Sequence, residues 1–271
     1  MKLGEFETNE VYNVDCYEAI KKLPDKSVDL IYTDIPYDVE GNGGGGCFGE
    51  KKRDYHAEYE AVCVNSSATG GGVSRIWRAT AKYFDGIKEL AFGIDYSILD
   101  EFCRVCKAIY VYIWCSKAQV LPLMEYFVGE KGCRFEILTW HKTNPIPTCN
   151  GKYLSDTEYC LMFRDGGKTR IGGDMATKNK YFLSPINVSD KNKFQHPTIK
   201  PLRFVENHII NSTNEGDIVF DPFLGSGTTA VAAQNLGRQY IGFEINPKYC
   251  KIAKNRLNNI NASGQMSLFT F

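Results

Sequence analysis

The chain reads as an α/β protein with a mostly parallel twisted sheet and helices on both faces. Three observations carry that reading. Strand-like apolar runs alternate with segments of helical spacing along the chain. Several runs (VDLIYTD, IYVYIW, DIVFD) are nearly continuous, as strands buried on both faces require. A glycine turn at 225–227 joins one such strand to a small-residue helix. With 271 residues, 43% hydrophobic and 24% charged, the chain can bury one sizeable core. That composition excludes collagen-like, coiled-coil and wholly disordered architectures.

The elements follow in order. EVYNV (10–14) is a short strand and CYEAIKKL (16–23) a helix. VDLIYTD (28–34) is a buried strand that ends in Asp34-Ile35-Pro36-Tyr37. Residues 38–90 read as an insertion or lid, because the glycine clusters at 41–46 and 70–72 break the periodicity before a helix near 75–85. A helix at 95–107, a strand at 109–114 and a helix at 117–128 with Pro122 in its first turns come next. Strands at 134–140 and 158–163 precede a polar, basic stretch at 165–195 that reads as loop. The chain then gives a helix from Pro201, a strand at 217–221, a helix at 228–236, a strand at 239–244 and a helix with Pro247 at its first position. The last ten residues read as a frayed tail. One catalytic domain over 1–271 is expected.

No apolar run approaches the roughly 20 residues needed to cross a bilayer, so no membrane partner is expected. MKLGEFETNE has no signal-type apolar region, which points to the cytoplasm. The ten cysteines follow no framework spacing and read as reduced core thiols. The pair Cys103 and Cys106 lies in a helical pattern without a second pair, so no metal site is assigned. Net charge is 32 − 32 = 0, but residues 164–203 carry nine Lys/Arg against three Asp. Such a stretch suits either a phosphate-facing surface or a solvated loop.

The segment DIVFDPFLGSGTTAVAA (217–233) is the strongest local signal. Its glycines allow a tight turn and close approach to a ligand at a helix start. GSGTTA fits the dinucleotide fingerprint, but Asp221 beside the turn would repel a pyrophosphate. It suits a ligand with an amino group and a sulfonium. Glu244 ends the next strand, where an acidic residue binds ribose hydroxyls in dinucleotide folds. An adenosine-bearing cation without phosphate is S-adenosylmethionine. Asp15 and Cys16, after the first strand, are placed with this pocket, although Asp15 also suits a helix N-cap.

Taken with Asp34-Ile35-Pro36-Tyr37, these motifs resemble the β-class amino-methyltransferases, which methylate exocyclic amines of DNA bases, most often N6 of adenine. That family carries D/N/S-P-P-Y/F/W near the N-terminus and DPFxGSGTT near the C-terminus. DCYEAIKKLPDKSVDLIYTD, RFEILTWHKTNPIPT, TEYCLMF and HPTIKPLRFVENHI match further family segments. The resemblance covers about 1–37, 95–164 and 194–258. It implies a circularly permuted Rossmann-like methyltransferase fold, with S-adenosylmethionine as cofactor and double-stranded DNA as substrate.

Residue by residue, the resemblance makes Asp34 the acceptor for the target amine. The backbone carbonyl of Ile35 is the second acceptor, and Tyr37 is the ring that stacks on the flipped base. Pro36 completes the motif. Asp221, Pro222, Phe223, Gly225, Ser226, Gly227 and Thr228 match the cofactor loop, Glu244 the ribose ligand, and Lys200 a lysine near the cofactor's methionine end. Ile35 stands where the family usually has Pro, so the sequence predicts a less constrained loop. Asp rather than Ser at position 34 favours adenine. The target-recognition segment is expected at 165–195, with Lys168, Arg170, Lys178, Lys180, Lys191 and Lys193, and base reading partly in the insertion. Methylation of N4 of cytosine, RNA or protein amines, and a catalytically silent DNA-binding relative stay open. So do a homodimer and a cognate restriction nuclease as partners.

Overall fold

A computed structural model of the chain describes residues 1–37, 93–145, 153–186 and 199–263. The insertion at 38–90, its helix near 75–85, and Lys191 and Lys193 lie outside the described residues. Strands β1 (Lys2–Leu3) and β2 (Phe6–Glu7) form a small antiparallel hairpin that the sequence reading did not anticipate. The main sheet runs through β3 (Glu10–Tyr12), β4 (Leu30–Asp34), β5 (Tyr110–Cys115), β6 (Arg134–Lys142), β7 (Thr157–Arg164), β8 (Tyr181–Ser184), β9 (Ile218–Asp221) and β10 (Gln239–Phe243). Its spatial order is β3-β10-β9-β4-β5-β7-β6-β8. Pairing is parallel from β3 across to β5. Strand β7 is antiparallel to β5 and β6, and β8 is parallel to β6. The sheet is thus mostly parallel, as expected.

Side-chain alternation explains the two faces. Ile31, Val111, Ile113, Leu161, Phe163 and Phe220 point to one side. There they meet α1 (Cys16–Ala19), α2 (Ile98–Val105) and α3 (Val120–Met124) through Ala19, Leu99, Phe102 and Leu123. Leu30, Tyr32, Tyr112, Trp114, Met162 and Val219 point to the other side. They meet α4 (Leu202–Ser212), α5 (Thr228–Asn235) and α6 (Pro247–Ser263) through Phe204, Ile209, Ala232, Ala253 and Leu257. This is why β4, β5 and β9 read as unbroken apolar runs. Among the described cysteines, Cys16, Cys106, Cys115, Cys133, Cys160 and Cys250 are buried free thiols and Cys103 is half-buried.

Two local readings are corrected. Residues 181–184, taken as loop, form β8 at the sheet edge. Exposed Tyr181 and Leu183 alternate with half-buried Phe182 and Ser184, too short a pattern among polar neighbours to register in sequence. The helix at 117–128 is irregular: α3 is preceded by a tight turn at Lys117–Gln119 and followed by a wide turn at Glu125–Glu130, where Lys131 N–H donates to Tyr126 O five residues back.

The strand order creates a topological switch. From β9 the chain proceeds through α5 to β10 on one side, while β4 leads towards β5 on the other. The crevice between the carboxyl ends of β9 and β4 is where open α/β sheets bind ligands. Leu30 and Ile31 pair with Val219 and Phe220, so Asp34 and Asp221 end neighbouring strands. The two halves of the motif set, far apart in sequence, meet at this edge.

Candidate active site

The glycine loop leaves β9 at Asp221, a residue only 3% exposed. Asp221 Oδ1 accepts from Phe223 N–H at 3.1 Å, which folds Pro222 and Phe223 back over the strand end. Burial pushes the Asp221 carboxyl up to about 7. Gly225 and Gly227 both adopt left-handed backbone, at φ 55° and 89°. A Cβ at Gly227 would lie 2.8 Å from Ala253 Cβ on α6. Gly227→Ala is therefore expected to cost about 1–3 kcal/mol of stability from backbone strain alone, read as a lower melting temperature.

Glu244, at the end of β10, ties this loop to the next. Its Oε2 accepts from Gly225 N–H and its Oε1 from Asn246 N–H, both at 2.7 Å. The carboxylate keeps lone pairs beyond these two bonds, so a ribose hydroxyl can still donate to it. Arg256 on α6, which the sequence reading missed, clamps the loop from below. Its Nη1 donates to Ser226 O, Ser226 Oγ and Thr228 Oγ1. Asp15 caps α1 by accepting from Tyr17 N–H at 2.9 Å, and it is exposed at the same sheet edge. Cys16 faces the core instead, where burial pushes its thiol up to about 12. The left-handed glycine cradle, the helix start at Thr228 and the carboxylate at the neighbouring strand end together fit S-adenosylmethionine.

Beyond β4 the chain turns through Ile35 to Tyr37. The sequence predicted a loose loop at Ile35, and the structure corrects this. Ile35 is 1% exposed in the core, and its N–H donates to Trp114 O at 3.3 Å, a bond that proline could not make. Gln119, buried and unremarked in sequence, donates its Nε2 to Pro36 O at 2.9 Å. Packing and two hydrogen bonds thus supply the constraint that a proline ring would have given.

Lys200, just before α4, is buried rather than solvated. Its Nζ donates to Asp34 Oδ2 at 2.6 Å and to Tyr37 Oη at 3.0 Å, and it lies 3.1 Å from Glu158 Oε2. It also lies 5.2 Å from the Tyr37 ring centre and 5.1 Å from that of Trp114. Glu158 opens β7, whose antiparallel direction brings its first residues to the carboxyl edge beside β5. Sequence reading missed Glu158, a polar residue at the start of a strand whose segment matches the family without marking any one side chain. Its other oxygen pairs with Lys142 Nζ at 2.7 Å.

Electrostatics follow from this packing. Burial raises the Asp34 carboxyl, and the Lys200 charge offsets that only in part. Burial also pushes Glu158 up, but Lys200 and Lys142 outweigh it and bring the carboxyl down to about 2. For Lys200, burial disfavours the charge, yet Asp34 and Glu158 hold it above the ordinary lysine range. Asp34 Oδ1 is sealed from solvent and has no hydrogen-bond partner among the described residues. A buried acceptor of this kind costs free energy until a donor arrives.

A second network fixes α4 and hence Lys200. Trp114 Nε1–H donates to Tyr32 Oη at 2.9 Å, and Tyr32 Oη lies 3.0 Å from His208 Nδ1 on α4. The tyrosine oxygen thus bridges the Trp114 indole and His208 Nδ1. Burial lowers His208 to about 3, so the ring stays neutral.

The comparisons agree with this geometry. The N6/N4 DNA methylase family model matches residues 28–255. The Type II methyltransferase M2.MboI of Moraxella bovis is 33% identical, with 92% of this chain and 88% of the relative covered. M2.DpnII of Streptococcus pneumoniae is 30% identical, with 91% and 88% covered. The crystal structure of the M1.HpyAVI–SAM complex superposes with a TM-score of 0.57 at 26% identity, over 91% of this chain and 98% of that one. The cytosine-N4-specific PvuII DNA methyltransferase shares the fold at a TM-score of 0.59 and 16% identity, over 97% and 96%. With the family match spanning most of its length and both motifs at one sheet edge, the chain belongs to the N6/N4 DNA methylase family and is an S-adenosylmethionine-dependent DNA methyltransferase.

Proposed function

We propose that the acceptor is N6 of an adenine extruded from duplex DNA at a specific sequence. The observation that carries this reading is Asp34 Oδ1, buried and without a partner among the described residues, on a carboxylate that Lys200 joins to Tyr37 Oη. The lone pair of an aromatic amine is delocalised and weakly nucleophilic. Acceptors at Asp34 Oδ1 and the Ile35 carbonyl would draw its N–H bonds out of the ring plane and turn the lone pair towards the donor. When bound, S-adenosylmethionine supplies an electrophilic methyl group on a sulfonium. This chain's own residues then supply positioning and electrostatics. Asp34 orients the amine, and its raised carboxyl can hold the proton the amine sheds. Tyr37 stacks on the extruded base, offsetting roughly 1–3 kcal/mol of the flipping cost.

Asp rather than Ser at position 34 supports adenine over cytosine. Exposed Lys168, Arg170 and Lys178 in the segment after β7 support phosphate contacts, which position DNA without specifying sequence. Lys180 in the same segment pairs with Glu136. The relatives' naming as Type II methyltransferases makes a cognate nuclease, acting on DNA in the cytoplasm, the partner to look for. Mass spectrometry of nucleosides from treated DNA is expected to show N6-methyladenine. Exclusive N4-methylcytosine would overturn the adenine assignment, and no methylated base would favour a silent DNA-binding relative.

A further inference from the structure

Lysine has three N–H donors, and the Lys200 ammonium faces three acceptors: Asp34 Oδ2, Tyr37 Oη and Glu158 Oε2. The tyrosine hydroxyl in turn donates towards Glu158 Oε2, at 3.4 Å. Glu158 is anchored from outside by Lys142, and both side chains of that pair are largely buried. The arrangement is a tripod. One leg fixes the acceptor carboxylate, one fixes the stacking ring, and the third ties both to β7 and β6.

We propose that Glu158 is a positioning residue for methyl transfer: anchored by Lys142, it holds the Lys200 ammonium against Asp34 Oδ2 and Tyr37, so that Asp34 Oδ1 is left facing the acceptor amine. The proposal rests on the amine-methylation reading above. Without the third leg the ammonium can rotate about Asp34, and either carboxylate oxygen can then take the lysine. The charge balance matters as well as the geometry. Lys200 alone would neutralise Asp34 and weaken it as an acceptor. Sharing the ammonium with Glu158 keeps Asp34 more basic, and so a stronger acceptor, than a pair with Lys200 alone would. The other titratable groups facing Asp34 among the described residues include Tyr32, Tyr37, Asp221, and the buried thiols Cys115 and Cys160. Burial pushes the Cys115 thiol up to about 12, and Cys160 is raised as well. Neither thiol therefore offsets a change at Glu158.

The test compares Glu158→Gln and Lys142→Met with the wild-type full-length protein. Glu158→Gln is expected to lower kcat roughly a hundredfold, as a small misplacement of reacting groups does, while cofactor Kd and KM for DNA stay unchanged. The acid limb of kcat should move to lower pH in Glu158→Gln, because a negative neighbour that favoured protonation of Asp34 is gone. It should move to higher pH in Lys142→Met, which unbalances Glu158 in the opposite sense. A merely structural weakening would slow both variants without opposed shifts. In cofactor-free protein labelled at lysine Nζ, a slowly exchanging Lys200 ammonium resonance is expected in the wild type and should be lost in Glu158→Gln. If Glu158→Gln does not fold, the upward shift in Lys142→Met alone decides. Wild-type kcat in Glu158→Gln, or limbs that do not move, overturns the proposal. A wild-type protein that methylates no DNA would instead sink the functional reading.

Discussion

Asp34→Ala is expected to lower methyl transfer at least about a thousandfold while cofactor binding persists. The cradle proposed for the cofactor is built by β9, β10 and their loops, with Gly225 held by Glu244 and Ser226 by Arg256. None of those bonds passes through Asp34. The acceptor proposed for the amine is Asp34 itself, whose Oδ1 is buried and has no hydrogen-bond partner among the described residues. Single-turnover assays with labelled cofactor, beside a calorimetric cofactor titration, separate the two effects. Full activity in Asp34→Ala would remove this carboxylate from the mechanism. Loss of cofactor binding in proportion to activity would make it a cofactor ligand instead.

Lys200→Met should destabilise the protein by about 3–5 kcal/mol at neutral pH, since it leaves two buried carboxylates without their shared cation. The pH dependence has a definite sign. Glu158 is held at about 2 in the folded protein, below its ordinary 4.5. Its stabilising contribution is therefore complete above the ordinary value and is lost as pH falls through about 2. Lys200→Met forfeits the Lys200 share of that contribution while Lys142 keeps the rest, so its deficit should be largest above about pH 5 and shrink on acidification. Thermal unfolding of both proteins between about pH 2 and pH 8 measures this. A deficit independent of pH would mean that Lys200 stabilises by packing alone.

The mostly parallel sheet was legible for a physical reason; its strand order was not. Strands covered on both faces must be apolar throughout, and β4, β5 and β9 are. The cofactor loop was legible because a left-handed turn at a helix start demands glycine, and Gly225 and Gly227 stand there. What escaped notice depends on partners brought from afar. Glu158 looks like any polar residue at a strand start until β7 is known to run antiparallel. Arg256 sits on an ordinary amphipathic helix, and only the packing of α6 under the glycine loop gives it a role. Gln119 pins Pro36 across 83 residues of chain, a relation no local pattern carries. Ile35 was misjudged for the opposite reason. The residue type suggested looseness, whereas the core it enters supplies rigidity. Strand β8 was missed because its four residues lie at an edge, among lysines and glycines.

The mechanism proposed here needs the glycine loop after β9 and the Asp34–Tyr37 turn after β4 to line one crevice, holding the methyl donor and the target base together. A crystal structure with a non-reactive cofactor analogue and duplex DNA measures this directly. The analogue is expected over Gly225 with its sulfur side towards Asp34, and a single extruded adenine against Tyr37. An analogue bound elsewhere, or a base approaching from another face of the sheet, would contradict it.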